Sequence, residues 1–269
     1  MDINQYVVLL VEDEPGQLEL TRMALEQTEE IRVVAVSTAK KALEMMTKDH
    51  FDAIVSDYQM PGMDGIELLR SIRATGDPTP FLLFTGRGRE EIAIAALNEG
   101  ADFYVRKGMD MEAQFAELRN AIIQVVKRKG AEALVSEIFK SSPVLMLVMD
   151  IDRKIYAPNN IVIEFAHLPL GRIVGTPCGT TFQCVHSTEN EKGCGFSSSC
   201  GQCNIWRSVQ TTITLKERCK RVAASITSEV DGVRRDTHLL VSTSPIHAFG
   251  RDLALVCIED VSDLKEEVC

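Results

Sequence analysis

The sequence predicts two domains of different class: a doubly wound α/β domain on a five-stranded parallel sheet, then an α+β domain on an antiparallel sheet. Three observations predict it. Through about residue 128, short continuous apolar runs alternate with helix-length segments, the pattern of strands buried on both faces and joined by helical crossovers. Beyond it, two strand-length runs, a helical middle and three further runs describe a sheet with helices on one face. The length, 269 residues, exceeds one ordinary core and suits two of about 130 residues each.

Tyr6–Val11 is the first continuous apolar run, and it ends abruptly in Glu12-Asp13-Glu14-Pro15. Proline suits the first turn of a helix, where its missing N–H has no partner to lose, and a helix to about Gln27 follows. Ile31–Val36 reads as a strand, Ala39–Met46 as a helix, and Phe51–Ser56 as a third strand ending at Asp57. The turn Met60-Pro61-Gly62-Met63-Asp64-Gly65 precedes a helix to about Arg73. Phe81–Phe84 is a fourth strand and Glu90–Asn98 a helix, with Gly100 as its C-terminal cap. Phe103–Val105 is a fifth strand, and a long helix begins near Asp110.

Net charge is −10, with −7 through Gly130 and −3 beyond it. Both halves are acidic, so neither offers the broad basic face of nonspecific DNA binding. Lys216, Arg218, Lys220 and Arg221 form a local basic cluster, read as a solvated strand-and-turn surface. No apolar run reaches the roughly 18 residues of a membrane span, and Met1–Gln5 lacks the basic start of a signal peptide. The expected location is the cytoplasm, with no membrane partner.

In doubly wound sheets, functional groups collect beyond the carboxyl ends of the strands. The residues there are Glu12 and Asp13 after the first strand, Asp57 after the third, Thr85 after the fourth and Lys107 after the fifth. Singly, each is an ordinary cap, turn residue or solvated charge. Together they place three carboxylates, a hydroxyl and an amine on one edge. Close carboxylates repel, and a hard cation such as Mg²⁺ relieves that repulsion through oxygen ligands. A carboxylate also accepts a phosphoryl group as an acyl phosphate, a reaction that needs positioning and charge neutralisation above all. The set fits a phosphoryl-accepting aspartate beside a Mg²⁺ site.

Residues 5–128 resemble the receiver domain of two-component response regulators, a flavodoxin-like fold. The matching segments are Val11-Glu12-Asp13-Glu14-Pro15, Ser56–Gly65, Phe84-Thr85-Gly86 and Tyr104-Val105-Arg106-Lys107. SDYQMPGMDGIELL and FTGRGREE look most like receivers of methanogenic archaea. The resemblance implies that Asp57 accepts a phosphoryl group from the phosphohistidine of a sensor histidine kinase. It implies that Glu12, Asp13, Asp57 and the backbone carbonyl of Gln59 hold Mg²⁺. Lys107 and Thr85 would contact the phosphoryl oxygens, and Tyr104 would be an aromatic switch following Thr85. Two positions depart from the family. Gly108 stands where proline usually follows the lysine, which implies a looser loop, and Gly86 stands where alanine is usual. In the family, the positions that Gln59 and Arg87 occupy tune dephosphorylation. A phosphatase using an aspartyl phosphate would need a second acid at position 59.

Met111, Phe115, Leu118, Ile122 and Val125 form one helical apolar stripe. It reads as the last helix packing on its own sheet, and in the family the same helix is a dimerisation surface. Lys127-Arg128-Lys129-Gly130 interrupts the stripe, and a short amphipathic helix with Leu134, Ile138 and Phe139 follows. The expected division is a receiver over 1–128, a helical linker over 129–141 and a second domain over 142–269. In that domain Val144–Asp150 and Lys154–Ala157 are strands, Asn159-Asn160 starts a helix to about Ala166, and Gly171–Gly175 is a loop. Lys220–Glu229, Thr237–Ile246 and Asp252–Glu259 are strands, with Asp231-Gly232 as a hairpin signal. Residues 131–265 resemble a PAS domain through Ser142-Pro143, Tyr156-Ala157-Pro158-Asn159, Gly171–Gly175 and Glu259–Asp263.

The cysteines are asymmetric. None of the eight precedes Cys178, and six fall between Cys178 and Cys219, with Cys257 and Cys269 behind. Cys184, Cys194, Cys200 and Cys203 are spaced as metal-binding thiolates are, for Zn²⁺ or an iron–sulfur cluster. Reversible disulfides and plain unligated thiols stand beside that reading. A lone His186 is read as a hydrogen-bonding residue, Cys257 as packed in a strand and Trp206 as core. The segment resembles a cysteine-bearing subgroup of PAS domains.

No recognition-helix motif, phosphate-binding loop or kinase segment is read after the second domain. The expected function is a phosphorylation-controlled response regulator, not an enzyme with a separate catalytic domain. It would dimerise or change its affinity for a downstream protein partner when Asp57 is phosphorylated. Two alternatives stay open: a transcription regulator without a recognisable DNA-binding motif, and a metal or redox sensor using the cysteines.

Overall fold

A computed structural model describes residues 5–86, 90–230 and 232–263. Arg87, Asp231 and Cys269, each singled out above, lie outside the described residues. The chain divides into two compact units, Met1–Ala133 and Leu134–Cys269.

In the first unit the elements are β1 (Tyr6–Val11), α1 (Pro15–Leu25), β2 (Ile31–Val36), α2 (Ala39–Met46), β3 (Ala53–Ser56), α3 (Gly65–Ala74), β4 (Phe81–Thr85), α4 (Glu90–Asn98), β5 (Phe103–Arg106) and the start of α5 (Met111–Ser141). The strands form a parallel sheet in the order β2-β1-β3-β4-β5. Successive strand residues point to opposite faces, so the apolar runs feed two separate cores. Val8, Leu10, Val55 and Phe84 pack with Leu25 of α1 and Leu118 and Ile122 of α5. Leu9, Val11, Ile54 and Leu83 pack with Ala42 of α2, Leu68 and Leu69 of α3, and Ala96 of α4. This two-sided burial is why the strands carry no polar alternation.

The helix from Met111 runs unbroken to Ser141. The break expected at Lys127–Gly130 does not occur. Lysine and arginine are good helix formers, and one exposed glycine costs only about 1 kcal/mol against alanine. Asp102 also holds this stretch: its carboxylate receives Lys129 Nζ at 3.3 Å and Arg128 at 3.6 Å, as well as Arg73.

In the second unit, β6 (Leu145–Met149), β7 (Ile155–Pro158), β8 (Cys219–Val230), β9 (Val233–Ala248) and β10 (Arg251–Asp260) form an antiparallel sheet in the order β7-β6-β10-β9-β8. Between β7 and β8 lie α6 (Asn160–Ala166), α7 (Leu170–Ile173), α8 (Cys178–Thr181), two short 3₁₀ turns and α9 (Asn204–Leu215). The loop expected at Gly171–Gly175 is therefore partly helical, with the chain turning at Gly175 (φ +80°). Ile205, Val209 and Ile213 of α9 close the core over Leu147, Val241 and Val256.

The last three strands are longer than their hydrophobic patterns. Beyond the core, β8 and β9 continue as an exposed ribbon whose pairing is backbone hydrogen bonding, supplemented by ion pairs such as Arg234–Glu229. Neither leaves a mark on hydropathy. The β9–β10 turn is made by Phe249 (φ +52°) and Gly250 (φ +68°), which fits the paired positive-φ residues of a tight hairpin.

Asn159 is the polar hub of this unit and is wholly buried. Its Oδ1 accepts from Met146 N and Val162 N, and its Nδ2 donates to the carbonyls of Ser142 and Val144. The side chain thus caps α6 and fixes the entry to β6. Asn159→Ala leaves two buried donors and two acceptors unpaired. Chemical denaturation should show the second unit destabilised by about 2–4 kcal/mol.

Candidate functional site

The site is assembled at the carboxyl ends of β1, β3, β4 and β5. Glu12 and Asp13 follow β1, and Asp57 follows β3 directly, its N–H donating to Val11 O at 2.9 Å. One carboxylate oxygen from each of Glu12, Asp13 and Asp57 lies within 4.8 Å of the other two. Among the described residues this is the one such trio of metal-ligating groups. Glu12 and Asp57 are buried, Asp13 half-buried.

Lys107, just past β5, enters between the two buried acids. Its Nζ donates to Glu12 Oε2 at 2.6 Å and to Asp57 Oδ1 at 2.8 Å, with the Phe84 ring 5.2 Å away. Burial pushes the Glu12 carboxyl above its usual range, and hydrogen bonding to Lys107 limits the rise. For Lys107, burial opposes the charge, but the bonds to Asp57 and Glu12 outweigh it and hold the ammonium above its usual range. Asp57 Oδ2 accepts the Gln59 backbone N–H at 2.7 Å. Gln59 thus reaches the site through its main chain, while its side chain is exposed. Thr85 ends β4 and is buried.

The loop from Asp57 to α3 owes its shape to two local devices. Asp64 caps α3, accepting from Ile66 N and Glu67 N, while Glu67 accepts from Asp64 N in return. Gly65 N donates to Tyr58 O, which draws the first turn of α3 against Asp57. A Cβ on Gly65 would lie 2.3 Å from the Asp57 carbonyl oxygen and 2.8 Å from Leu83 Cδ1. Gly65 thus sets how closely α3 approaches Asp57, which the sequence shows only as part of an Asp-Gly turn.

Two further positions stand differently from the sequence expectation. The loop after Lys107 is not loosened by Gly108, because its N–H donates to Oε1 of buried Gln114 at 2.9 Å. A proline there would have no N–H to give. Tyr104 on β5 packs against the α2–α4 core, yet its buried hydroxyl has no hydrogen-bond partner among the described residues.

In the second unit, Cys184, Cys194, Cys200 and Cys203 line one cavity of about 200 Å³, joined by Cys178, His186, Arg153 and Trp206. Cys219 stands apart, against Ser208 and Thr212, and Cys257 lies on β10. His186 Nδ1 pairs with Glu189 at 2.8 Å. Trp206 is partly buried under the Arg153 guanidinium, 4.2 Å from its ring centre.

A parallel sheet carries at its carboxyl edge an acidic trio and a lysine shared between two of the acids, a donor set suited to a hard cation. Residues 8–123 match the family described as the response regulator receiver domain, and this part of the chain is a receiver domain. Response regulator MprA of Mycobacterium leprae is 33% identical over 127 residues, covering 47% of this chain and 55% of that protein. MprA of Mycobacterium ulcerans is 35% identical over 126 residues, 47% of this chain and 53% of that protein. The solved receiver domain of the Francisella response regulator 1452 is 26% identical, covers 46% of this chain and 99% of its own, and has a TM-score of 0.43. The chain spans about half the length of the curated relatives it matches. No helix among the described residues is long and apolar enough to cross a membrane.

Receiver domains use Mg²⁺ at such an acidic pocket, and three carboxylates within reach of one ion are a donor set suited to it. Gly65→Ala should destabilise the receiver by about 1–3 kcal/mol in denaturant titration, since backbone must yield to the new methyl. Tyr104→Phe should hold or raise stability, by up to about 1 kcal/mol, because it deletes a buried hydroxyl without a partner. A marked loss in thermal unfolding would mean that the hydroxyl is satisfied.

Proposed function

We propose that this chain is a two-component response regulator, cytoplasmic, whose Asp57 accepts a phosphoryl group from the phosphohistidine of a sensor histidine kinase. The observation that carries the reading is the Lys107 ammonium bridging Asp57 and Glu12 beside Asp13. A carboxylate oxygen of Asp57 attacks phosphorus. The P–N bond breaks, and its electron pair stays with the imidazole. Lys107 keeps its charge in this site and neutralises the transferred oxygens, and Thr85 offers its hydroxyl to them. Glu12, Asp13, Asp57 and the Gln59 carbonyl are the ligands for Mg²⁺, which when bound screens the acceptor and the incoming phosphoryl charge.

Phosphorylation replaces a carboxylate held by Lys107 with a more highly charged group. Thr85 is drawn towards that group and Tyr104 follows, which changes the α4–β5 face. The unsatisfied Tyr104 hydroxyl supports this, because its present position carries a cost that a second arrangement can relieve. Strand order and helix placement support the reading of a PAS-like second domain, which serves as the sensor or interaction half. Its change on phosphorylation alters dimerisation or affinity for a protein partner. The net charge of −10, negative in both halves, favours a protein over DNA.

Incubation with a small phosphodonor such as acetyl phosphate and Mg²⁺ should give one phosphorylated species in a phosphate-affinity gel. Asp57→Asn should abolish it, and removal of Mg²⁺ by chelation should abolish it in the unaltered protein. Equal labelling of Asp57→Asn would overturn the assignment.

A further inference from the structure

We propose that the cysteine-lined cavity of the second domain holds an iron–sulfur cluster ligated by Cys184, Cys194, Cys200 and Cys203. This inference does not depend on the receiver reading.

The four cysteines come from the irregular segment between α8 and α9, with Cys200 within and Cys203 capping one 3₁₀ turn, and all line one cavity of about 200 Å³. The backbone is shaped to admit them. Gly193 and Gly195, at φ +83° and +99°, turn Cys194 inward. A Cβ on Gly179 would stand 2.6 Å from Cys194 Sγ, so only glycine leaves room for that sulfur. Cys200 Sγ also accepts the main-chain N–H of Gly195 at 3.3 Å.

A main-chain N–H aimed at sulfur favours a charged sulfur over a neutral thiol. A neutral thiol is a weak acceptor, whereas a metal-bound thiolate is a strong one, and N–H bonds to sulfur are a recurring feature of cluster sites. Thiolates can be buried here only beside positive charge. A thiophilic metal centre supplies most of it. Arg153 supplies more, held over Trp206 on the cavity wall with its guanidinium packed against Gly195.

Spacing selects a cluster over a single ion. Zinc with Zn–S bonds of about 2.3 Å sets four sulfurs about 3.8 Å apart. Among the described residues, no three of these cysteines, with or without His186, bring ligand atoms within 4.8 Å of one another. A cluster spreads its ligands around several irons and fills a cavity. Cys178, the fifth lining cysteine, is buried among the core side chains of the domain. Insertion of a preformed cluster is ligand exchange. Four S–H bonds are replaced by four Fe–S bonds, each proton passes to a thiolate of the departing carrier, and no electron is transferred.

The test uses the full chain purified without oxygen, with iron, acid-labile sulfide and zinc measured beside the visible spectrum. The expected result is iron and sulfide in equal amounts, about two or four of each per chain, with a broad visible band. Cys194→Ser and Cys200→Ser should lose at least about nine-tenths of the iron, whereas Cys219→Ser and Cys257→Ser keep it. Phosphorylation of Asp57 and far-ultraviolet circular dichroism, measured on every variant, separate loss of the cluster from loss of the fold. One zinc per chain without colour, a Cys200–Cys203 disulfide, or metal-free protein with every thiol reactive would each overturn the proposal. Failure of Asp57 labelling with the cluster present would overturn the receiver reading alone.

Discussion

The buried contact of Lys107 with Glu12 and Asp57 is the constraint around which the first domain is arranged. Two acids out of water are costly unless a cation meets both, and the cation must come from a different strand. Only a sheet whose β1, β3 and β5 end at one edge brings such groups together. The apolar strands, buried on two sides, exist to hold those three ends in register. The ion pair is asymmetric in a useful way: one lysine answers two of three acids, so the edge retains negative charge and an appetite for a hard cation.

The second domain solves a different problem. Its sheet has one packed face, and its helical segment between β7 and β8 is irregular, with short helices and turns. Such a segment buries little by itself, so it is tied by polar groups at defined points. Asn159 closes four backbone hydrogen bonds at one end. Thr212, its hydroxyl 2.6 Å from that of Thr243, ties α9 to the sheet at the other. Between these ties the chain is free to carry cysteines at positions that a regular helix could not bring together.

The parallel sheet and its acidic edge were legible in the sequence because burial on both faces writes itself as uninterrupted Val, Ile and Leu. Asp57, Glu12, Asp13 and Lys107 stand where those runs stop. What hydropathy could not reveal was set by space and by backbone pairing. The closeness of Gly65 to Asp57 is a distance between main chains, and the Gly108–Gln114 bond needs a tertiary neighbour. The exposed ribbon of β8 and β9 is held by ladder bonds that no side-chain pattern records. The continuity of α5 past Gly130 was hidden because a glycine and three basic residues look like punctuation, yet their cost is small. The cysteine spacing announced that thiols gather, while the Gly195 N–H aimed at Cys200 appears only in the fold.

The sole tryptophan of the chain, Trp206, sits on the wall of the cysteine cavity beneath Arg153. The receiver contains none. Indole emission therefore reports on the second domain alone, and on the part of it where the sulfurs converge. A change in that emission caused by phosphorylation would thus be a direct optical record of information passing from one domain to the other.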